Sequence, residues 1–106
     1  MKTKDERAAL RARVQATHDE IAATLAAQPA ARPLLEPIRQ QLAALLAWTK
    51  DDALPHPSDL RRITVGHIAL REMGELEEDT APALRPLRAA LLEIQDDVMS
   101  FYEPFP

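Results

Sequence analysis

Residues 84–101, LRPLRAALLEIQDDVMSF, carry the clearest hydrophobic pattern in the chain. Apolar residues recur there at alternating steps of three and four, the spacing that places side chains on one face of an α-helix. Because Pro86 would disrupt a helix that began as early as Thr80, the pattern predicts either a kink or a regular start near Arg85. The stripe of this last helix consists of Leu84, Leu87, Leu91, Ile94, Val98, Phe101 and Phe105.

Two earlier segments repeat the same period. Thr3 and Glu6 have the spacing of a capping box, and the apolar residues that follow predict a first helix over about 3–27. A second helix is predicted over about 34–50. Pro37 lies near its first turn, where a missing N–H is tolerated, or delays its start to the preceding residue.

A third helix is predicted over about 58–73, with Ser58 as its cap and Gly74 as its end. It is apolar nearly all round, which is typical of a central helix. His67 falls on its apolar side and is expected to be buried. Gly66 weakens a helix by about 1 kcal/mol relative to Ala, so we expect a neighbouring element to approach it closely.

The predicted fold is all-α, a single domain over 1–106 that forms an antiparallel four-helix bundle, because four amphipathic helices are joined by short connections. A short internal repeat suggests two tandem helical hairpins: the motif at 29–34, PAARPL, recurs at 82–87 as PALRPL. In a sequence rich in Ala, Leu, Pro and Arg, coincidence remains the alternative.

Composition narrows the functional class. The 106 residues include no cysteine and carry a net charge of −4. Residues 77–106 hold two basic and seven acidic side chains. Such a surface repels phosphate backbones and attracts basic clefts, so nucleic acid is not the expected partner. With no signal-peptide core and no apolar stretch of membrane-spanning length, a cytoplasmic location without membrane association is predicted.

The sequence offers little for catalysis. Three histidines lie in separate elements, and no phosphate-binding loop, nucleophile elbow or Glu-x-x-His pair occurs. The adjacent acidic pairs are interpreted as solvated surface, since a catalytic pair needs a pocket that raises one pKa. We therefore predict a protein that is not an enzyme and that binds no cofactor and no metal.

A resemblance makes the expectation more specific. The stretch 60–73, LRRITVGHIALREM, contains an Arg-x-Thr-x-Gly-x-Ile-Ala-x-Arg-Glu signature from Arg62 to Glu72 and is followed by an acidic connector and an amphipathic helix. It resembles a family of small all-helical bacterial immunity proteins of type VI secretion, antitoxins of NAD(P)-degrading and related nucleotide-directed toxins. The resemblance implies a protein that binds its cognate toxin domain and occludes the substrate cleft.

The predicted partner-binding residues are acidic residues of the two connectors and two aromatic anchors, although burial in the core is an equal alternative for the tryptophan. A helical interaction module, or a homodimer built along the stripe of the last helix, remains the alternative function. The candidate contact residues are Asp51, Asp52, Glu72, Glu75, Glu77, Glu78, Asp79, Trp48 and Tyr102.

Overall fold

The computed structural model describes residues 3–73 and 85–101, and within these ranges the chain forms helices and turns without a strand. The all-helical prediction is confirmed. Short 3₁₀ turns (Pro29–Ala31 and Lys50–Asp52) occupy two connections, and a π-helical stretch (Ala69–Met73) extends the fourth helix. The helices are α1 (Lys4–Ala27), α2 (Arg32–Trp48), α3 (Pro57–Leu60), α4 (Val65–Ile68) and α5 (Arg85–Met99).

The start of α1 is fixed by the predicted capping box. The backbone N–H of Glu6 donates to the Thr3 hydroxyl at 3.2 Å, and the backbone N–H of Thr3 donates to the Glu6 carboxylate at 3.0 Å. Both groups would otherwise be donors without a helical partner. The predicted stripe faces the core: Leu10, Val14, Thr17, Ile21 and Leu25 are buried.

Helix α2 begins earlier than predicted, at Arg32, so Pro37 lies inside it. Pro37 lacks the N–H that would bond the carbonyl of Pro33. Both prolines are exposed, so water can satisfy that carbonyl. The stability lost with this helical hydrogen bond is offset by hydrophobic packing, since the opposite face of α2 buries Leu35, Ile38, Leu42 and Leu45.

The three long helices pack with α1 between the other two, and both neighbours run antiparallel to it. The early part of α1 meets the end of α2, where Arg11 donates to the carbonyl of Leu46 at 3.1 Å. It also meets the end of α5, where Arg13 pairs with Asp97. The stripe of α5 is buried at Leu87, Leu91, Ile94, Val98 and Phe101. These five residues of the stripe are therefore part of the protein's own core, whereas Leu84 and Phe105 lie outside the described residues.

The prediction of a continuous third helix over 58–73 was wrong. A single turn of helix, α3, ends at Leu60, the chain turns through 61–64, and α4 restarts at Val65. Beyond Ile68 the hydrogen bonding widens to the π-helical stretch. The fourth position of the bundle is thus filled by a broken helix.

Two glutamine side chains hold this break in place. Gln95 on α5 accepts the backbone N–H of Gly66 at 3.0 Å and donates to the carbonyl of Ile63 at 2.9 Å. Gln41 on α2 accepts the backbone N–H of Thr64 at 2.6 Å and donates to its hydroxyl at 2.9 Å. These bonds to neighbouring helices satisfy backbone groups at the break, and a local periodicity cannot reveal them.

The close approach predicted at Gly66 is confirmed. A Cβ atom at this position would lie 2.5 Å from Cβ of Gln95, far inside van der Waals contact. The burial predicted for His67 is wrong, because its side chain is exposed. The break resets the helical phase, so spacing counted from Leu60 no longer tells which side of α4 faces the core. Leu70 is 56% exposed for the same reason.

Replacing Gly66 by Leu should lower the free energy of unfolding by about 1–3 kcal/mol or more, because the new side chain overlaps Gln95. Thermal or urea unfolding followed by circular dichroism measures the change. Ala43→Leu, which adds the same bulk on the exposed face of α2, is the control and should hardly alter stability. Equal stability of the two variants would contradict the packing at Gly66.

Candidate partner-binding surface

The second connector contains a strained turn. Asp51 has φ 57° and Asp52 has φ 62°, so two successive residues with side chains adopt the left-handed conformation. This conformation is unfavourable for L-residues, although Asp and Asn tolerate it better than most. Consecutive residues of this kind persist only where their surroundings fix them, and such strain is concentrated at functional sites.

A bidentate ion pair between Arg7 and Asp52 holds the turn in place. Nε of Arg7 donates to Oδ1 of Asp52 and Nη2 donates to Oδ2, both at 2.9 Å. These hydrogen bonds lower the pKa of Asp52 below its ordinary value, against an opposing effect of desolvation. They raise the pKa of Arg7 in turn. The hydroxyl of Thr49 donates to the carbonyl of Leu45 at 2.8 Å and closes the end of α2 just before the turn.

The two predicted acidic residues of this connector therefore have different roles. The carboxylate of Asp52 is bound to Arg7 within the protein, whereas the exposed side chain of Asp51 has no hydrogen bond or ion pair among the described residues. Trp48 lies one turn earlier, partly buried and packed against the core, in line with the structural alternative for that residue. The connector thus has one exposed carboxylate without an internal partner, three residues after a partly buried tryptophan.

A small cavity of about 150 Å³ opens beside this turn, where the first turns of α1 meet the ends of α2 and α5. Its wall is apolar and includes Leu10, Val14, Leu45 and Phe101. The lining also includes three charged residues, Lys4, Arg7 and Asp52. Leu54, 50% exposed, follows two residues after the turn. Apolar surface and charge of both signs thus lie together at this end of the bundle.

Glu72, the other predicted contact residue within the described ranges, lies in the π-helical stretch. Its carboxylate accepts a hydrogen bond from Arg71 at 3.2 Å, and about half of its side chain is exposed. No ion pair or hydrogen bond joins it to the Asp51 turn among residues 3–73 and 85–101. The remaining candidates lie outside the described residues: Glu75, Glu77, Glu78, Asp79 and Tyr102.

Sequence reasoning missed a second surface, a groove between the broken helix and α5. Its lining includes Leu60, Ile63 and Met99, with Arg61 and His67 beside them. The adjacent residues Arg61 and Arg62 are visible in the sequence as a candidate anion-binding pair. A continuous helix over this stretch would have pointed their side chains in different directions from those in the folded protein. In the folded protein the break places Arg61 at the edge of an apolar groove.

Within the described part of the chain, no three His, Asp or Glu side chains lie close enough together to hold a metal ion. Over the same residues, none of the helices combines the length and the apolar character needed to cross a bilayer.

A family model for Tsi6, which describes type VI secretion immunity proteins, matches residues 9–94. The chain belongs to the Tsi6 family. The match runs from the second turn of α1 through the broken helix and into α5, so it covers most of the bundle. Comparisons with curated proteins and with solved structures each find no match. The resemblance predicted from the signature is confirmed, and membership implies a toxin protein as the partner.

Asp52→Asn should lower the melting temperature at pH 7, because it removes the carboxylate that Arg7 binds, while Asn still tolerates a left-handed backbone. The folded-state pKa of Asp52 is depressed, so its contribution is present above the unfolded-state pKa and is lost as the pH falls through the folded-state value. The difference from wild type should therefore close on acidification. Melting curves between about pH 7 and pH 2 measure it.

Asp51→Asn is the matched control, since it makes the same change at the adjacent left-handed residue without removing an ion pair. Its melting temperature should follow that of wild type across the pH range. A deficit of Asp52→Asn that stays constant down to pH 2 would show that the ion pair with Arg7 is not its cause.

Proposed function

We propose that this Tsi6-family protein protects cells from a secreted toxin domain that degrades NAD(P) or attacks a related nucleotide, and that it does so by covering the toxin's substrate cleft. Inhibition needs binding alone, without catalysis by this chain. The family match over residues 9–94 supports the class of partner. The surface chemistry supports the mode of binding.

A cleft that binds nucleotide phosphates is lined by cationic side chains and backbone N–H groups. An inhibitor that fills it is complementary if it presents carboxylates. The chain meets this requirement in its overall charge of −4 and in the acidic balance of residues 77–106. Among the described residues, Asp51 suits the role, because its carboxylate is exposed and has no hydrogen bond or ion pair there, and because it directly precedes Asp52, which lines the apolar cavity.

The rigidity of the turn favours tight binding. Ordering a loop on association costs free energy, and a contact already fixed in its bound conformation avoids that cost. The Asp51 turn is held by the ion pair between Arg7 and Asp52 and follows directly after the end of α2. The free protein thus already holds Asp51 and Asp52 in the left-handed conformation, so binding does not have to impose this strain.

The proposed contact set keeps the residues that the sequence singled out. Asp51, with Asp52 behind it, forms the charged part from the second connector, and Glu72 begins a second acidic group that continues through the third connector. Trp48 and Tyr102 are proposed as apolar anchors. A standard interface of about 1,600 Å² has room for these contacts. The second acidic group consists of Glu72, Glu75, Glu77, Glu78 and Asp79.

The direct test uses the toxin domain encoded next to this chain's gene. Purified protein should bind it in a pull-down and should suppress its nucleotide hydrolysis in proportion to the complex formed. Failure to bind would reject the immunity function for that pair. Binding without inhibition would reject coverage of the cleft while leaving the toxin as partner.

The role of Asp51 is tested by reversing its charge. Asp51→Lys should slow association with the toxin domain and weaken inhibition, and the loss should shrink at high salt, because exposed charges are screened over about 8–10 Å. Glu20→Lys makes the same change on an exposed position of α1, about 24 Å along the helix from Lys4. It should leave binding nearly unchanged. Association kinetics at low and high ionic strength distinguish the two.

The acidic third connector is tested in the same way with the double variant Glu77→Lys and Glu78→Lys. A slower association with unchanged melting temperature is expected, because solvated charges contribute little to folding. If both charge reversals leave association intact while Tyr102→Ala abolishes binding without unfolding the protein, the electrostatic mechanism is wrong. An apolar anchor would then carry the interaction.

A further inference from the structure

The groove between the broken helix and α5 is apolar and open. It has a volume of about 550 Å³ and runs along Leu60 and Ile63 on one side and Val98 and Met99 on the other. Leu60, Ile63 and Val98 are almost fully covered and form its floor, whereas Met99 is 66% exposed and forms a wall. An exposed methionine beside a hollow adapts its shape readily to an inserted side chain.

The edge of the groove is cationic. Arg61 and Arg62 occupy the turn after α3, and their exposed side chains have no ion pair or hydrogen bond among the described residues. Three other arginines bind carboxylates within the protein: Arg7 with Asp52, Arg13 with Asp97, and Arg39 with Glu36. Arg61, which lines the groove, has no such partner among the described residues and is available to an external anion.

The backbone that carries these arginines is fixed on both sides. Before them, the N–H of Arg61 bonds the carbonyl of Pro57 at 3.1 Å, and that of Arg62 bonds the carbonyl of Asp59 at 3.1 Å. After them, Gln41 and Gln95 hold the chain from Ile63 to Gly66 against α2 and α5. A guanidinium on a fixed turn loses less conformational freedom on binding than one on a mobile loop.

We propose that this groove is a second contact surface for the toxin, and that it receives an apolar side chain flanked by a carboxylate. The apolar side chain would enter between Ile63 and Met99, and the carboxylate would accept hydrogen bonds from Arg61. Arginine is well suited to this role, because its planar donors match the two oxygens of a carboxylate. The proposal rests on the immunity function and specifies where else the toxin touches this chain.

Charge favours the toxin over two other occupants. A second copy of this chain brings its own net charge of −4 to an acidic protein, which disfavours self-association by repulsion. Nucleic acid would meet the same unfavourable field over the remainder of the surface. A toxin with a basic cleft and an acidic apolar patch next to it matches both surfaces of this protein. Opposite signs at two positions would also fix the orientation of the complex.

The test measures affinity and kinetics for the toxin domain encoded beside this chain's gene. Arg61→Glu should weaken binding by about tenfold or more, with a loss that shrinks as salt rises. Arg85→Glu is the matched control, since it makes the same charge change on an exposed residue at the start of α5. It should change affinity by about twofold at most. Melting curves establish that both variants fold.

An independent variant addresses the apolar half of the groove. Met99→Ala should speed dissociation by about tenfold with little dependence on salt, whereas Leu70→Ala, at an exposed apolar residue that lines neither the cavity nor the groove, should have a smaller effect on the dissociation rate. Because Met99 is largely exposed, its truncation should leave the fold intact.

The outcomes separate the two proposals. If wild type binds and inhibits the toxin while Arg61→Glu and Met99→Ala bind as tightly as their controls, the groove proposal is wrong and the immunity function stands. If wild type does not bind the toxin, both proposals fall. If sedimentation shows a dimer that Arg61→Glu dissociates, the groove holds a second copy of the chain, and the toxin is not its occupant.

Discussion

Gln95 lies on the buried face of α5, and its side-chain amide bonds the backbone at two points: the carbonyl of Ile63 within the break and the N–H of Gly66 at the start of α4. A buried N–H or carbonyl left without a hydrogen-bond partner destabilises the folded protein by about 1–3 kcal/mol. The amide of Gln95 avoids this loss at two backbone groups of the broken helix. It also requires Gly66, because any Cβ there would overlap Gln95 itself. The position of the broken helix, and with it the groove at Arg61, depends on this contact together with the hydrogen bonds from Gln41 to Thr64.

The same broken helix explains how a small acidic protein carries a cationic surface. Its first turn ends at Leu60, the following turn exposes Arg61 and Arg62, and the apolar residues on either side remain buried against α5. At the end of the bundle where α1 begins, the Asp51 turn presents the opposite charge on a backbone held by Arg7. Each surface is held by side-chain contacts between elements that are distant in the chain. Rigid surfaces of opposite sign suit a member of an immunity-protein family, for which the implied partner is a toxin protein.

Several features followed from local patterns alone. The stripe of α5, the capping box at Thr3 and the close approach at Gly66 were all predicted, because each depends on helical spacing or on a residue that has a single structural advantage. The signature from Arg62 to Glu72 indicated the family. The roles of the candidate-site residues were harder to predict from the sequence. Asp51 and Asp52 looked equivalent in the sequence, and only the ion pair with Arg7, 45 residues away, separates a structural carboxylate from a free one.

The sequence by itself determined that the chain is helical, where most helices begin and which faces of the long ones are buried, since period and capping act over a few residues. The tertiary structure alone decided that the third helix breaks, that His67 and Leu70 face outward, and that Arg61 borders an apolar groove. The physical reason is competition for backbone hydrogen bonds. Within a lone segment each N–H bonds a carbonyl one turn earlier, but in the folded protein Gln41 and Gln95 offer better-placed partners from other helices, and no local pattern records that choice.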